Sequence, residues 1–414
     1  MILFKLAWRN IWRNVTRTMI QIMVIAGSLF FVIWMQNISC GSYEKMIADS
    51  VRSGSGHLAF QHSDYLSERR PELVIPADKA LKLAQNHDEI KHILPRLQIP
   101  GLIRSSRENC SAMILGVDFN REKEVNVILA DKRKVEGRLP TELETTKAYV
   151  GEKLALRLQV KLGQKIVFMF QNLEGVITSK LYRIAGIFRS GVGKIDSGMV
   201  FVDRRSLGKA FGDPDAVHEV ALILKDRTTL ESIKKTLEME SDKSMPESSK
   251  LLAWETTMKQ LADAIKIDQA NLQFMIFLLY VLVTIGTINL LLMSVLERTR
   301  EFGLLRAIGF EKSRIRNLIG FEAILVGTIG SFFGLLVGTL ASAYSWHYGL
   351  DFSAMFGAQE VAGMLFEPTI KSIWNWKWMF GLTTSMIFMV YLASIYPAGK
   401  AMRVNPSEAM RSYQ

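Results

Sequence analysis

Apolar residues gather into four long stretches along this chain. Thr18 to Tyr43, Gln269 to Leu296 and Trp378 to Gly399 carry no Asp, Glu, Lys or Arg, and Asn317 to Leu350 carries only Glu322. Each reaches the roughly 20 helical residues needed to cross about 30 Å of hydrocarbon. The pattern predicts four transmembrane helices. The segment between the first two mixes both periodicities. Runs suited to strands occur at 56–61, 110–116, 164–170, 180–188 and 218–224. Helical spacing occurs at 77–87, 151–158, 229–239 and 255–267. The polar, Pro-containing stretch 239–250 predicts a surface loop.

The predicted fold is therefore an α-helical membrane protein with four transmembrane helices and a large α+β extracytoplasmic domain inserted between helices 1 and 2. Residues 1–43 form an N-terminal amphipathic helix and the first span, and 44–268 form the α+β domain. Residues 269–414 hold spans two to four, with a cytoplasmic coupling helix over 297–316 and a cytoplasmic tail. The first span also has features of a cleaved leader, with Lys5, Arg9, Arg13 and Arg17 ahead of an apolar core. That core runs from Met19 past Met35, longer than a leader core, and Asn37 stands where a lipoprotein processing site wants an aliphatic residue. A retained anchor is the expectation.

Charge adds orientation. The chain has 414 residues, a net charge of +11 and 49% hydrophobic residues, and its cations concentrate beside the spans. The N-terminal arm, the loop 297–316 and the tail are basic, whereas Lys371 is the sole cation in 351–376, facing Asp351, Glu360 and Glu367. The positive-inside rule puts both termini and the charged loop in the cytoplasm, with 44–268 and 351–376 outside. The same rule accounts for the basic balance without nucleic acid, which is not expected as a partner. Cys40 and Cys110 are expected as two unpaired thiols.

Motifs for chemistry are missing. Gly191-Val-Gly-Lys194 lacks the spacing and hydroxyl residue of a phosphate-binding loop. His57, His62, His87, His92, His218 and His347 are not spaced to share a helical face. No Gly-x-Ser-x-Gly elbow occurs, and neither cysteine has a convincing base. The chain is expected to be a non-catalytic subunit with no metal and no directly bound cofactor. Glu322 is the one ionisable group within a span, two turns from Arg316, where pairing to Arg competes with a proton-relay role.

The loop 297–316, Glu-Arg-Thr-Arg-Glu-Phe-Gly-Leu-Leu-Arg-Ala-Ile-Gly-Phe-Glu-Lys-Ser-Arg-Ile-Arg, holds six basic and three acidic residues. Phe302, Leu305 and Gly309 recur at helical spacing, with Leu304 and Ile308 in support. Residues 297–309 resemble the signature of FtsX/MacB-type ABC transporter permeases, in the helix that docks on the partner ATPase. The tail Ser394-Ile-Tyr-Pro-Ala-Gly-Lys-Ala-Met-Arg-Val-Asn-Pro-Ser-Glu-Ala-Met-Arg411 is similar to that family's closing motif. Leu6-Ala-Trp-Arg-Asn-Ile-Trp-Arg-Asn-Val-Thr-Arg-Thr18 resembles its amphipathic N-terminal helix. Gly56–His62, Leu115–Asp118 and the stretches 186–191 and 195–202 look like elements of lipoprotein-releasing (Lol-type) permeases. The Ser/Gly-rich Lol-type first span ending Val-Met-Asn-Gly-Phe is absent.

The resemblance implies a permease subunit of the bacterial inner membrane, driven by mechanotransmission from a separate ABC ATPase dimer that uses ATP. It implies ATPase coupling through Glu297, Arg298, Arg300, Glu301, Phe302, Leu305, Arg306 and Gly309. It also implies a second permease, identical or paralogous, and a lipoprotein cargo passed to a periplasmic carrier. Met23, Phe30, Phe31 and Met35 form a candidate cargo groove, against ordinary lipid contact or helix packing. The alternative functions are a MacB-type exporter of another amphiphile or peptide, or an FtsX-type regulatory subunit controlling an external hydrolase.

Overall fold

The computed structural model describes residues 2–129, 133–141, 143–351, 359–361, 364–366 and 369–403. The chain divides into two compact units. One comprises Met1–Glu44, Ile267–Asp351 and Thr369–Gln414, and the other Lys45–Lys266 and Phe352–Pro368. Both boundaries at 44/45 and 266/267 fall inside helices, so the helices outlast the charge-free stretches that announce them.

The chain opens with α1 (Ile2–Ile11), a single 3-10 turn, and α2 (Val15–Ser53). The second unit then runs β1 (Leu58–His62), α3 (Tyr65–Glu68), α4 (Ala77–Gln85), β2 (Ile90–Arg104) and β3 (Asn109–Val117). It continues through α5 (Phe119–Val125), β4 (Lys134–Gly137), β5 (Lys147–Gly151), α6 (Glu152–Arg157), β6 (Lys165–Gln171) and β7 (Ile177–Phe188). After α7 (Gly193–Gly198) come β8 (Met199–Asp203), α8 (Arg204–Phe211), β9 (Glu219–Leu224), α9 (Leu230–Ser244), β10 (Ser249–Ala253) and α10 (Trp254–Thr257). Four helices follow, α11 (Lys259–Glu297), α12 (Thr299–Ala307), α13 (Lys312–Tyr348) and α14 (Trp376–Met402), with two short antiparallel strand pairs between the last two, 350–351 with 369–370 and 359–361 with 364–366.

Four helices are long and apolar enough to cross a membrane, within 4–53, 259–297, 312–348 and 376–402. At 1.5 Å per residue, the 39 residues of α11 reach about 58 Å, well beyond the hydrocarbon thickness. Close packing between α2 and α13 depends on small residues. A Cβ at Gly330 would meet Ile25 Cβ at 2.9 Å, one at Gly334 would meet Ala26 O at 2.8 Å, and one at Gly338 would meet Ile33 Cβ at 3.1 Å. The i, i+4, i+8 spacing makes a smooth stripe that lets two backbones approach, the usual basis of helix association where lipid removes the hydrophobic drive. Polar ties secure one end: Asn37 Nδ2 donates to Ser342 Oγ at 3.0 Å and Trp34 Nε1 to Ser345 Oγ at 3.0 Å. Tyr280 on α11 donates to Leu382 O of α14 at 2.9 Å.

The second unit is an α/β domain around a mixed ten-stranded sheet, in the order β10-β1-β9-β2-β3-β8-β5-β7-β4, with β6 pairing β2 and β7. β3 runs parallel to β8 and β5 parallel to β7; the other pairings in this sheet are antiparallel. The expected strands appear as β1, β3, β6, β7 and β9. β2, β4, β5, β8 and β10 are additions, and the expected loop 239–250 is corrected: α9 runs on to Ser244, burying Ser241. A buried ion network ties three elements together. Arg96 on β2 donates to both oxygens of Glu122 on α5, at 2.5 and 3.0 Å, to Glu219 on β9 at 3.5 Å, and to Gly54 O. Gln61 and Ser55 complete the coordination of Glu219 at 2.6 and 2.9 Å. His218 is wholly buried, stacked on Tyr65 at 4.7 Å. Its Nδ1 accepts from Gln98 N at 3.1 Å and its Nε2 donates to Pro71 O at 2.7 Å, an arrangement only the neutral ring satisfies.

Two outcomes are expected from this fold. Gly334→Leu should lower stability by about 1–3 kcal/mol or more through overpacking. Gly381→Ala, where a Cβ meets nothing within 4 Å, should be neutral. Thermal melts of the two variants in detergent test this, and equal midpoints would refute the close-approach account. The second outcome concerns acid. Burial pushes the His218 pKa down to about 4, while an unfolded histidine titrates near 6.5. As pH falls from about 6.5 towards 4, the unfolded chain takes up a proton that the folded ring refuses, so stability present above pH 6.5 is lost. His57, pushed down to about 4 by burial and Arg227, adds in the same direction. Melting at pH 7 and 5 should show a drop that shrinks in His218→Gln; an undiminished drop would exclude His218 as its source.

Candidate functional site

The signature stretch begins where α11 ends at Glu297, and Arg298 forms the link to α12. One helix over 297–316 was expected; the structure corrects this to three parts. Helix α12 stops at Ala307, and Lys312 to Arg316 already belong to α13. The stop has a local cause. Gly309 sits at φ +95°, and the amides of Gly309 and Phe310 return to the carbonyls of Arg306 and Leu305 at 3.1 and 2.9 Å. This pair of bonds closes a helix through a left-handed residue, the conformation glycine adopts without a side-chain penalty.

The inward side of the motif is clasped to α1, the start of α2 and α13. Arg298, 8% exposed, places Nη1 3.0 Å from Glu322 Oε1, and Asn10 Nδ2 donates to the same oxygen at 2.7 Å. Arg298 Nε reaches Glu301 at 3.0 Å, and Arg13 holds the other Glu301 oxygen at 2.6 Å. Arg17 grips Glu297 with two bonds at 2.8 and 2.5 Å, with Asn14 at 3.5 Å. Burial raises the Glu301 carboxyl, but hydrogen bonds from Arg298 and Arg13 outweigh it and hold Glu301 below its ordinary value. Burial also opposes the Arg298 charge; Glu322 and Glu301 outweigh it and leave that group above its ordinary value. Phe302, 1% exposed, packs with Ala7, Ile315, Leu318 and Ala398, and the Arg298 guanidinium lies 5.3 Å from its ring centre.

The eight motif residues therefore part company. Arg298 and Phe302 face inward, Glu301 is held by Arg13 of the 3-10 turn and Glu297 by Arg17 of α2, and Leu305 and Arg306 are half-buried. Arg306 Nη1 lies 3.5 Å from Met402 O at the end of α14. Arg300 and Gly309 stand exposed. Leu304 and Ile308 join them on the outer side, 57% and 70% exposed. Sequence reasoning read those two as support for the buried face. Asn10 and Asn14 were missed as well, because their partners lie 312 and 283 positions away, and so was the link of Arg298 to Glu322 across 24 positions.

On α2, Met23, Phe31 and Met35 are 63%, 45% and 42% exposed, together with Ile20 and Val24. Phe30 turns away from this face; it is half-buried and stacks on Trp34 at 5.8 Å. In the phosphate-loop look-alike the first amides are already engaged, Gly191 N by Asp196 and Val192 N by Ser190 Oγ. Asp196, buried, accepts from Ser190 N at 2.6 Å and Gly191 N at 3.3 Å, so a carboxylate fills the position an anion would need. Among the described residues no group of three or more His, Cys, Asp or Glu is placed to hold a metal ion. Cys40 and Cys110 are free thiols. The closing tail motif from Val404 to Arg411 lies outside the described residues.

Two relatives, both lipoprotein-releasing system transmembrane proteins LolC of Xylella fastidiosa (strains 9a5c and Temecula1), are 23% identical over 347 and 349 residues, 80% of each chain. Among solved structures, the extracellular domain of the noncanonic ABC-type transporter YknZ from Gram-positive bacteria aligns at 14% identity and TM-score 0.35, covering 47% of this chain and 97% of that one. The periplasmic region of MacB from Actinobacillus actinomycetemcomitans aligns at 14% and 0.38, covering 53% and 98%. The FtsX-like permease C-terminal family matches residues 273–406. The MacB-like periplasmic core domain family matches 18–239, more than half of the chain. With both family patterns present in order around four apolar helices, this chain belongs to the FtsX/MacB-type ABC transporter permeases.

Proposed function

We propose that this permease subunit takes motion from a separate ABC ATPase dimer through α12 and uses it to extract lipoprotein from the outer leaflet of the bacterial inner membrane. The observation that carries the coupling half is the two-sided character of α12. Its inner side is locked by Arg298, Phe302 and Glu301, while Arg300, Leu304 and Ile308 stand free on the outer side. An exposed pair of large aliphatic residues beside a cation on a short helix suits a partner's groove. Displacing α12 displaces what it is bonded to, namely α1, the head of α2 and the head of α13. Helices α2 and α11, which contribute to both units, then carry movement to the α/β domain. In this reading the termini and α12 are cytoplasmic, the α/β domain is periplasmic, and a second permease completes the transporter.

The cargo half draws on the resemblance to proteins named for lipoprotein release and on the apolar face of α2. Moving an acyl chain from lipid to an apolar protein face costs little, whereas lifting it into water forfeits about 0.8 kcal/mol per CH₂. A multiply acylated cargo thus needs both an energy source and a carrier that shields the chains. The absence of the Lol-type first-span ending favours keeping the MacB-type exporter of another amphiphile as the second reading.

Two experiments test the halves. Leu304→Asp with Ile308→Asp should abolish ATPase stimulation and transport, with normal insertion and an unchanged melt. Wild-type turnover in that variant would remove α12 from the coupling route. A photo-crosslinker at Phe31 should capture lipoprotein in cells, and less of it once ATP and a periplasmic carrier are supplied to membranes. Capture of phospholipid alone, with lipoprotein sorting intact after depletion, would instead establish the MacB-type reading.

A further inference from the structure

At the Arg316 end of α13, the first unit leaves a cavity of about 300 Å³ between α13 and α14. On α13 its lining runs from the polar Arg316 and Asn317 to the apolar Phe321 and Ile324, and α14 contributes Tyr391, Ser394 and Ile395. The order follows from helix periodicity: Arg316 and Ile324 are eight residues apart on one face, about 12 Å along the axis. Gly320, between them, is what lets the Tyr391 ring lie against α13; a Cβ there would sit 3.3 Å from Tyr391 Cε2. Arg316 differs from the arginines of the clasp. Arg13, Arg17 and Arg298 each hold a carboxylate, but among the described residues the side chains of Arg316 and Asn317 make no hydrogen bond or ion pair, and of the unpaired arginines here it is Arg316 that lines the cavity.

We propose that this cavity binds an anionic phospholipid, with the phosphate on Arg316 and Asn317 and the upper acyl chain along Phe321, Ile324 and the Tyr391 ring. An uncompensated guanidinium five residues into a membrane-crossing helix, above an apolar groove open to the side, matches a negative headgroup over a hydrocarbon tail. A volume near 300 Å³ is at the small end of ligand sites, enough for a headgroup and the start of a chain. Arg can hold the phosphate with two parallel bonds, while the exposed Tyr391 offers a ring to the chain and a hydroxyl to the interface. The site is distinct from the α2 face proposed for cargo and from the outer side of α12, so it stands whether or not those assignments do.

The test uses the full chain, purified from membranes and passed into mild detergent with phosphatidylglycerol or phosphatidylcholine of the same chain length. Native mass spectrometry should find phosphatidylglycerol retained about fivefold over phosphatidylcholine, the preference expected of one cation at the interface. Arg316→Gln should abolish the preference, Arg316→Lys should keep most of it, and Gly320→Leu should lower retention of both lipids by filling the groove. Circular dichroism and the melt confirm that each variant is folded. Equal retention of the two lipids by the wild type, or an unchanged preference in folded Arg316→Gln, would overturn the proposal. So would full displacement by glycerol 3-phosphate, since the apolar half would then contribute nothing.

Discussion

A carboxylate among apolar helices sets the terms for the inner end of this protein. Glu322 is 9% exposed, one turn above Leu318 and Ile319, and a lone charge so placed is far costlier than the same charge in water. It is kept by Arg298, which is equally buried and brings an opposite charge, and by Asn10, which fills a further lone pair. Breaking a buried pair of this kind by removing one partner typically costs about 3–5 kcal/mol, because the survivor remains buried and unpaired. Satisfying Glu322 therefore fixes the link between α11 and α12, the position of α1 and the head of α13 together. The rest of the clasp, Arg13 with Glu301 and Arg17 with Glu297, is more exposed and individually weaker. It adds direction to a join whose energy lies deeper.

The α/β unit solves a similar problem with different partners. Arg96 faces two carboxylates, Glu122 and Glu219, so the buried cluster carries an excess negative charge even after pairing. Neutral donors from Gln61, Ser55, Gln98 and Asn126 make up the difference. Burial opposes the Arg96 charge, yet the two glutamates together leave that group above its ordinary value. Covering the carboxylate oxygens matters more than the count of charges here, and it leaves Gln61 Oε1 buried without a partner.

Sequence reasoning found the spans because charge is expensive in hydrocarbon and its absence is visible at a glance. It found β3, β6 and β9 because each is a short apolar run between turn residues. It missed β2, the longest strand, for an equally physical reason. Pro95 and Pro100 interrupt the run, and proline reads as a strand breaker. In the fold, Pro95 stands opposite Val220 on β9 and Pro100 opposite Met113 on β3, where β2 changes partner. The overlong coupling helix turned on a single residue: helical spacing persists through Gly309, a glycine that suits either close approach of a neighbouring backbone or the end of a turn, and its left-handed backbone shows the second. The clasp was beyond reach, since Asn10 and Glu322 are 312 positions apart and nothing local links them.

That limit also changes how the signature itself should be understood. Read as a string, Glu297 to Gly309 looks like one functional surface, and its charged residues look like the contact. In three dimensions the charges mostly serve the protein's own interior: Arg298 answers Glu322, Glu301 bridges Arg298 and Arg13, and Glu297 answers Arg17. What remains outward is largely aliphatic, Leu304 and Ile308, with Arg300. An exposed aliphatic pair on a nine-residue helix gains nothing from solvent, and the helix is too short to hold itself without the inward anchors. The charged half is thus the mounting, and the apolar half is the face that the mounting presents. In the proposed reading a push on that face would be transmitted because the ion pairs behind it join α2, α11, α12 and α13 at one end, which a solvated connector of the same composition would not do.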